Sequence, residues 1–305
     1  MAISQITASQ LTKRLEAHPS PVLLDVNDAD AFAAQHLPGA VNASVYEMAF
    51  LDHVKDKLGL QPSQPVIVYG TDARSYASRV AAQKLAAAGF AEVEEFRGGL
   101  EAAREAGLPL EGDTKAAQSP ASAQGQLQVD AGQSEVRWIG RNLANQHRGL
   151  MPIQSGYVNL VDGVLKGGEL VFDLEALSCE DIEDDKANKM LLQHFRDWEF
   201  FNIGEHPTAK VQLEHVAHDP LAPVGSPNYE VAASLTLRGV TAPVRGRLVG
   251  GCKDGSTWAC QGTVEFDRTR WNVIYGSGKF FTGLGMHAVN DLITVDLRLI
   301  FGGKR

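Results

Sequence analysis

The sequence predicts two domains of different class: an α/β domain, then an all-β antiparallel domain, a closed barrel or a sandwich, with an inserted helix. Three observations carry this. The chain has 305 residues, more than one core usually encloses at about 100–200 residues per domain. Short continuous apolar runs alternate with helical patterns up to about residue 112, whereas period-two alternation and tight-turn signals dominate from Leu127 onward. Between them, residues 111–125 are small, polar and aperiodic, the composition of a flexible linker. The expected organisation is a domain over 1–112, a linker over 113–125 and a domain over 126–305.

In the first domain Val22-Leu23-Leu24-Asp25-Val26 and Val66-Ile67-Val68-Tyr69 are short apolar runs suited to buried parallel strands, with Val93–Phe96 as a third. Helices are predicted over 8–17, 28–35, 45–58 and 75–88. The last is clearest, with Val80, Ala81, Lys84, Leu85 and Ala88 at helical spacing and Gly89 placed to end it. In the second domain 156–160 and 164–165 flank Asp162-Gly163, a strong hairpin dipeptide. Further strands are predicted over 169–174, 211–215, Tyr229–Leu237, 244–249, 260–266 and 293–299, about eight in all, and residues 186–195 read as a helix among them.

Composition excludes some functions. Apolar residues make up 44% and charged residues 21%, enough to bury sizeable cores. Net charge is −9, from −5 over residues 1–112 and −4 over the rest. Neither part is basic, so nucleic-acid binding is not expected as a main role, nor is attraction to anionic membranes. The start lacks a basic segment followed by an apolar one, and no apolar run approaches the ~20 residues of a membrane span; the expectation is a cytoplasmic protein. Three cysteines, Cys179, Cys252 and Cys260, argue against a disulfide framework.

Leu24-Asp25-Val26, Phe32 and His36-Leu37-Pro38-Gly39-Ala40-Val41-Asn42, followed by Arg97-Gly98-Gly99-Leu100 and Ala106-Gly107-Leu108-Pro109, resemble the two signatures of the rhodanese family. The resemblance covers roughly residues 4–112 and implies a rhodanese-like α/β domain. It also implies a catalytic cysteine in the loop after the central strand, where backbone N–H groups stabilise a thiolate or persulfide. Here that loop reads Gly70, Thr71, Asp72, Ala73, Arg74, Ser75, and no cysteine precedes residue 179. Asp72 is expected to repel an anion. Asn27 stands where the family often has arginine and Ala103 where it often has tryptophan. The expectation is a domain without sulfurtransferase activity and with no catalytic residue. Ser75 reads as a helix N-cap, and Arg74 as either an anion ligand or a surface arginine. His36 and His53, isolated from any partner acid or base, read as solvated or capping residues.

The second domain resembles the YceI-like, polyisoprenoid-binding family of lipocalin-like barrels. The residues that carry the likeness are His194-Phe195, Phe200-Phe201-Asn202, His206-Pro207, the segment Leu235-Thr236-Leu237-Arg238-Gly239-Val240-Thr241-Ala242-Pro243-Val244 and the ending 291–301. Alternation alone shows one apolar face and favours a filled core, the usual state of interiors. The resemblance implies a long apolar pocket holding an isoprenoid chain, such as a quinone tail or a polyprenyl phosphate, with no other cofactor required. Candidate lining residues are Trp138, Phe172, Phe195, Phe200, Phe201, Leu235 and Phe266. Candidates for holding a polar head group are Arg141, Asn142, His147, Arg270 and Asn272, since arginines with amide side chains suit a phosphate or carbonyl. The alternative for 267–272 is a structural network in which Asp267 pairs with an arginine.

His194, His206, His215 and His218 lack the spacing of a zinc motif, and 180–185 lacks the pattern of a calcium loop; no metal is expected. The leading expectation is a carrier of a hydrophobic small molecule whose first domain senses an anion or docks an unidentified protein, with a homodimer as an admissible assembly. The competing expectations are a sulfurtransferase-related enzyme and an interaction module with a filled barrel.

Overall fold

The structure is a computed structural model that describes residues 3–18, 20–113 and 122–302. The chain divides into two compact units, Met1–Ser119 and Pro120–Arg305. Most of the linker expected at 113–125 lies outside the described residues.

The first unit runs β1 (Ser4–Gln5), α1 (Ala8–Leu15), β2 (Val22–Asp25), α2 (Ala29–Ala34), β3 (Val41–Asn42), α3 (Phe50–Asp52), β4 (Val66–Tyr69), α4 (Ala77–Ala87), β5 (Val93–Phe96) and α5 (Gly99–Glu105). Its parallel sheet has the order β1-β5-β4-β2-β3. The fully buried apolar residues of β2 and β4 explain the continuous apolar runs of the sequence. Thr7 and Gln10 form a reciprocal capping box that starts α1, and Asp28 caps α2. The single helix expected over 45–58 is instead a turn, the short α3 and a π-helical turn over His53–Lys57. The start of the segment follows β3 along the sheet, Ala43 N donating to Asp25 O at 3.0 Å and Val45 N to Val26 O at 3.1 Å.

The second unit contains β6 (Gly125–Gln128), β7 (Glu135–Arg141), β8 (Gln146–Leu150), β9 (Ile153–Val161), β10 (Val164–Asp173), α6 (Asp185–Phe195), β11 (Thr208–His218), β12 (Tyr229–Leu237), β13 (Val240–Cys252), β14 (Thr257–Asp267) and β15 (Leu292–Gly302). These strands form one sheet in the order β6-β9-β10-β11-β12-β13-β14-β15-β7-β8. Its pairings are antiparallel. It curls until Val129, just past β6, bridges Phe301 of β15, which joins the two sides of the barrel at one end. The Asp162-Gly163 hairpin turns as expected, both residues at positive φ. The count rises from eight to ten because the expected strands over 164–165 and 169–174 are one strand, β10, whereas β6, β7 and β8 were not among the eight; β6 and β8 are short, polar and at the sheet ends.

The outer edge of β8 is covered by its own chain. Residues 178–181 run beside it, with Ser178 N donating to Leu150 O at 3.1 Å and Glu180 N to Arg148 O at 2.9 Å. Trp138 Nε1 donates to Ser178 O at 3.0 Å. The approach is so close that a Cβ on Gly149 would lie 1.7 Å from Ser178 O. The three cysteines are free thiols.

Gly149→Ala is therefore expected to detach the 178–181 segment and to lower barrel stability by about 1–3 kcal/mol, the usual range for forced overpacking. Urea denaturation of the full chain measures this, and unchanged stability contradicts the packing described.

Candidate functional site

Inside the barrel lies a cavity of about 470 Å³ with a largely apolar wall. Inward-facing residues of the strands alternate with outward ones, so that Ile293, Val295, Leu297, Leu299 and Phe301 of β15 face it. Much of the wall is built from small or medium side chains, including Ala209, Val211 and Leu213 of β11 and Val231 and Ala233 of β12. At the end nearest the Val129–Phe301 bridge the fully buried Trp258 packs against Tyr229 and Phe301. Burial pushes the Cys260 thiol up to about 12, so it is a neutral part of the apolar wall.

All seven aromatic and aliphatic candidates, Trp138, Phe172, Phe195, Phe200, Phe201, Leu235 and Phe266, line this cavity. At the other end of the barrel lie α6 and the turn after it, which carry Phe195, Phe200 and Phe201. Phe195, at the last position of α6, meets Trp138, Phe200 and Phe201 edge-on, at ring separations of 5.2 to 5.7 Å. His194 and Tyr275 extend the aromatic cluster, 4.3 Å apart by ring centroids.

The polar candidates separate. Arg141 borders the cavity, yet its guanidinium donates to Thr294 Oγ1 at 2.6 Å, and Thr294 donates in turn to Glu265 at 2.9 Å. Both alternate in sequence with inward residues, so this chain lies on the outer face. Asn142 borders the cavity, but its Oδ1 accepts from Ala144 N and Asn145 N and closes the β7–β8 turn. His147 borders it too, with Nδ1 2.8 Å from Asp181. Arg270 and Asn272 are not among the lining residues. Arg270 is exposed, lies over the Trp271 ring and donates to Pro243 O. Asn272 ends a 3₁₀ turn in the left-handed conformation, its carbonyl accepting from Arg238. Asp267 pairs with Lys279 at 2.5 Å rather than with the arginine partner weighed in the sequence reading.

Arg268 was not among the sequence candidates, yet it organises this end of the barrel. Its side chain is 2% exposed. The guanidinium donates to the carbonyls of Val273, Tyr275, Val289 and Asn290 at 2.7 to 3.2 Å. It thereby ties together both arms of the loop 272–290, which supplies Val273, Tyr275, Met286, His287 and Val289 to the cavity. Burial pushes its pKa down, with Asp291 and Asp267 opposing; arginine stays charged regardless. In the sequence Arg268 is indistinguishable from Arg270, and only the fold separates the buried one from the exposed one.

In the first unit the loop after β4 sits at the carboxyl end of the central strand, flanked by the ends of β2 and β5. Leu100 N and Glu101 N donate to the carbonyls of Gly70 and Thr71 at 3.0 Å. Gly99, at φ +57°, permits this: a Cβ there would lie 2.2 Å from Gly70 O. At Gly70 itself there is room, since an added Cβ would meet Ala77, Asn27 and Ser78 only at 3.5 to 3.8 Å. Asp72 does not simply repel an anion. Its Oδ1 accepts the backbone N–H of Arg74 at 2.8 Å and of Ser75 at 3.0 Å, so a carboxylate already occupies amides of the loop. Those bonds and the Arg74 guanidinium, 3.0 Å away, hold the Asp72 carboxyl below its ordinary pKa. Arg74 is thus an exposed residue paired with Asp72. Ser75 accepts from Ala77 N at 3.2 Å, and the N-cap position of α4 is Tyr76. Thr71 donates to Asn27, and Ala73 is exposed. Asp28, Asp30 and Glu101 add negative charge around the same depression, against Arg74 and Arg104.

Fold and cavity together define a two-domain protein whose second unit is a hollow antiparallel barrel with an apolar interior. The family model of the YceI-like domain matches residues 127–301, over half of the chain, and the chain belongs to that family. The model of the rhodanese-like domain matches residues 7–106. Among solved structures, the chain is similar to BcnA of Burkholderia cenocepacia (20% identity, 56% of this chain and 98% of that one, TM-score 0.43). It is also similar to a polyisoprenoid binding domain from Saccharophagus degradans implicated in plant cell wall breakdown (16% identity, 59% and 99%, TM-score 0.44). The chain is similar as well to the Alr3790 protein from Anabaena sp. (30% identity, 36% of this chain and 83% of that one, TM-score 0.32). No helix among the described residues is long and apolar enough to cross a membrane.

Arg268→Met leaves four carbonyls without their donor. It is expected to destabilise the barrel by roughly 3 kcal/mol or more and to open the 272–290 loop to protease. Limited proteolysis and urea denaturation measure both, and a variant as stable and resistant as the parent contradicts the assigned role.

Proposed function

We propose that the protein is a carrier that holds one elongated apolar molecule of the isoprenoid type inside the barrel, while its rhodanese-like unit is catalytically inactive and acts as a sensing or docking module. The observation that carries the first part is the apolar cavity of about 470 Å³ in the barrel interior, a volume typical of small-molecule sites. An apolar tail gains about 0.8 kcal/mol for each CH₂-sized group moved out of water. Membership of the YceI-like family supports the same reading.

The polar groups around the cavity favour a neutral head, such as a quinone, over a polyprenyl phosphate. Of the three arginines bordering the cavity among the described residues, Arg268 gives its guanidinium to four backbone carbonyls, Arg141 gives one N–H to Thr294, and Arg245 is exposed on β13 between the inward Val244 and Gly246. Asn145, His147, His194, Tyr275 and His287 border the cavity too, groups suited to a carbonyl rather than a dianion.

A prenylated benzoquinone is expected to quench the fluorescence of Trp138 and Trp258 saturably and to appear as a one-to-one adduct in native mass spectrometry. Val211→Phe, which puts a ring into the cavity, is expected to weaken uptake at least about tenfold (about 1.4 kcal/mol) with little change in Tm. Absence of uptake by the parent chain overturns the carrier reading, and tighter binding of a polyprenyl phosphate with the same tail overturns the preference for a neutral head.

The inactive assignment of the first unit rests on two features, Gly70 in place of a nucleophile and the Asp72 carboxylate on the loop amides. Thiocyanate formation from thiosulfate and cyanide is expected at background for the parent chain and for Gly70→Cys. The pair Gly70→Cys/Asp72→Ala is expected to exceed both, because a persulfide at position 70 then has free N–H donors. Turnover by the parent chain contradicts the assignment, and equal turnover by the single and double variants contradicts the role given to Asp72.

A further inference from the structure

We infer that His147, Cys179 and Asp181 form a binding site for a divalent transition-metal ion of the zinc type. The three residues offer an imidazole nitrogen, a sulfur and a carboxylate oxygen, all within 4.8 Å of one another. His147 Nδ1 lies 2.8 Å from Asp181 Oδ2, and Cys179 Sγ lies 3.4 Å from Asp181 Oδ1. Zinc takes nitrogen and oxygen ligands at about 2.0–2.2 Å and sulfur at about 2.3 Å. Ligand atoms of one tetrahedral shell then stand about 3.3–3.7 Å apart, so small movements bring this triad to that geometry.

The site is held by backbone. His147 lies on β8, and Cys179 and Asp181 lie on the segment bonded along the edge of that strand. Arg148 N donates to Asp181 Oδ1 at 2.7 Å, and Asn188 of α6 donates to the Cys179 carbonyl at 2.9 Å. Burial and the Asp181 carboxylate hold the Cys179 thiol above its ordinary pKa, against the N–H groups of Asp181 and Ile182 that face the sulfur, so an incoming ion has to displace the thiol proton. Thiolate, imidazole and carboxylate are ligands that zinc accepts together, and one thiolate with one carboxylate balances a 2+ charge. Cys179 is buried, whereas His147 is half-exposed and leaves the ion a path from solvent. On binding, the metal–sulfur bond forms as the S–H proton leaves for the buffer. Three protein ligands leave a fourth position free, the pattern of zinc sites that take an exchangeable ligand. His147 borders the barrel cavity, which puts that position within reach of its contents, but the site requires none of them.

The test uses the untagged full chain and Co²⁺ as a spectroscopic probe, with Zn²⁺ affinity read by competition with a chromophoric chelator. One ion per chain and a sulfur-to-cobalt charge-transfer band are expected. Cys179→Ser is expected to abolish the band, and both it and His147→Ala to weaken Zn²⁺ binding at least about tenfold. Cys252→Ser, at an exposed cysteine outside the triad, is expected to change neither. The inference is overturned if the parent chain gives no band, if the band survives Cys179→Ser, or if Zn²⁺ affinity is the same in Cys179→Ser and His147→Ala as in the parent.

Discussion

A sheet of ten strands that curls on itself encloses more volume than the side chains of its inner face occupy, and the rest of the second unit is arranged around that mismatch. Interiors normally pack to crystal-like density. Here the inner faces of β11 and β12 carry Ala209, Val211, Leu213, Val231 and Ala233, and the cavity of about 470 Å³ remains between them and the opposite wall. The larger rings lie toward the two ends. Trp258, Tyr229 and Phe301 fill the end near the bridge that joins the barrel. Phe195, Phe200 and Phe201, carried by α6 and the following turn, line the other.

At that second end polar groups serve to hold backbone in place. Arg268 gathers four carbonyls of one loop, Asn142 closes a turn, and Lys279 bridges Asp267 and Asp291. The same holds in the first unit, where Asp72 takes amides that would otherwise face an anion. A buried charge left without partners is costly, and these partnerships explain why residues that look like ligand-binding groups in sequence do not present their charge to a ligand.

The fold was largely legible because period is a strong signal. Asp162-Gly163, the alternation of Ile293 to Leu299 and the apolar runs at Val22 and Val66 each follow from burial on one or two faces. What escaped were the three strands β6, β7 and β8, of which only β7 carries an alternation, Val136, Trp138 and Gly140 facing the cavity. The polar edge strands β6 and β8 are defined by their neighbours, and the segment over 45–58 breaks into a turn, a short α-helix and a π-helical turn. For the cavity, alternation accounts for candidates on strands such as Trp138 and Phe266, whereas Phe195, Phe200 and Phe201 lie on α6 and the turn after it, where alternation has no say. Polar roles were not legible: Arg268 and Arg270 sit two residues apart, yet one is buried among carbonyls and the other is exposed on Trp271. His147 and Asp181 are 34 residues apart and meet only because the segment after β10 folds back along β8.

Electron density inside the barrel, from crystals of protein purified out of its own host, tests the hollow interior most directly. The account predicts continuous elongated density between Val211, Phe172 and Trp138, reaching toward Tyr275 and His287. A barrel whose inner side chains have closed together, leaving no room for a tail, would contradict it.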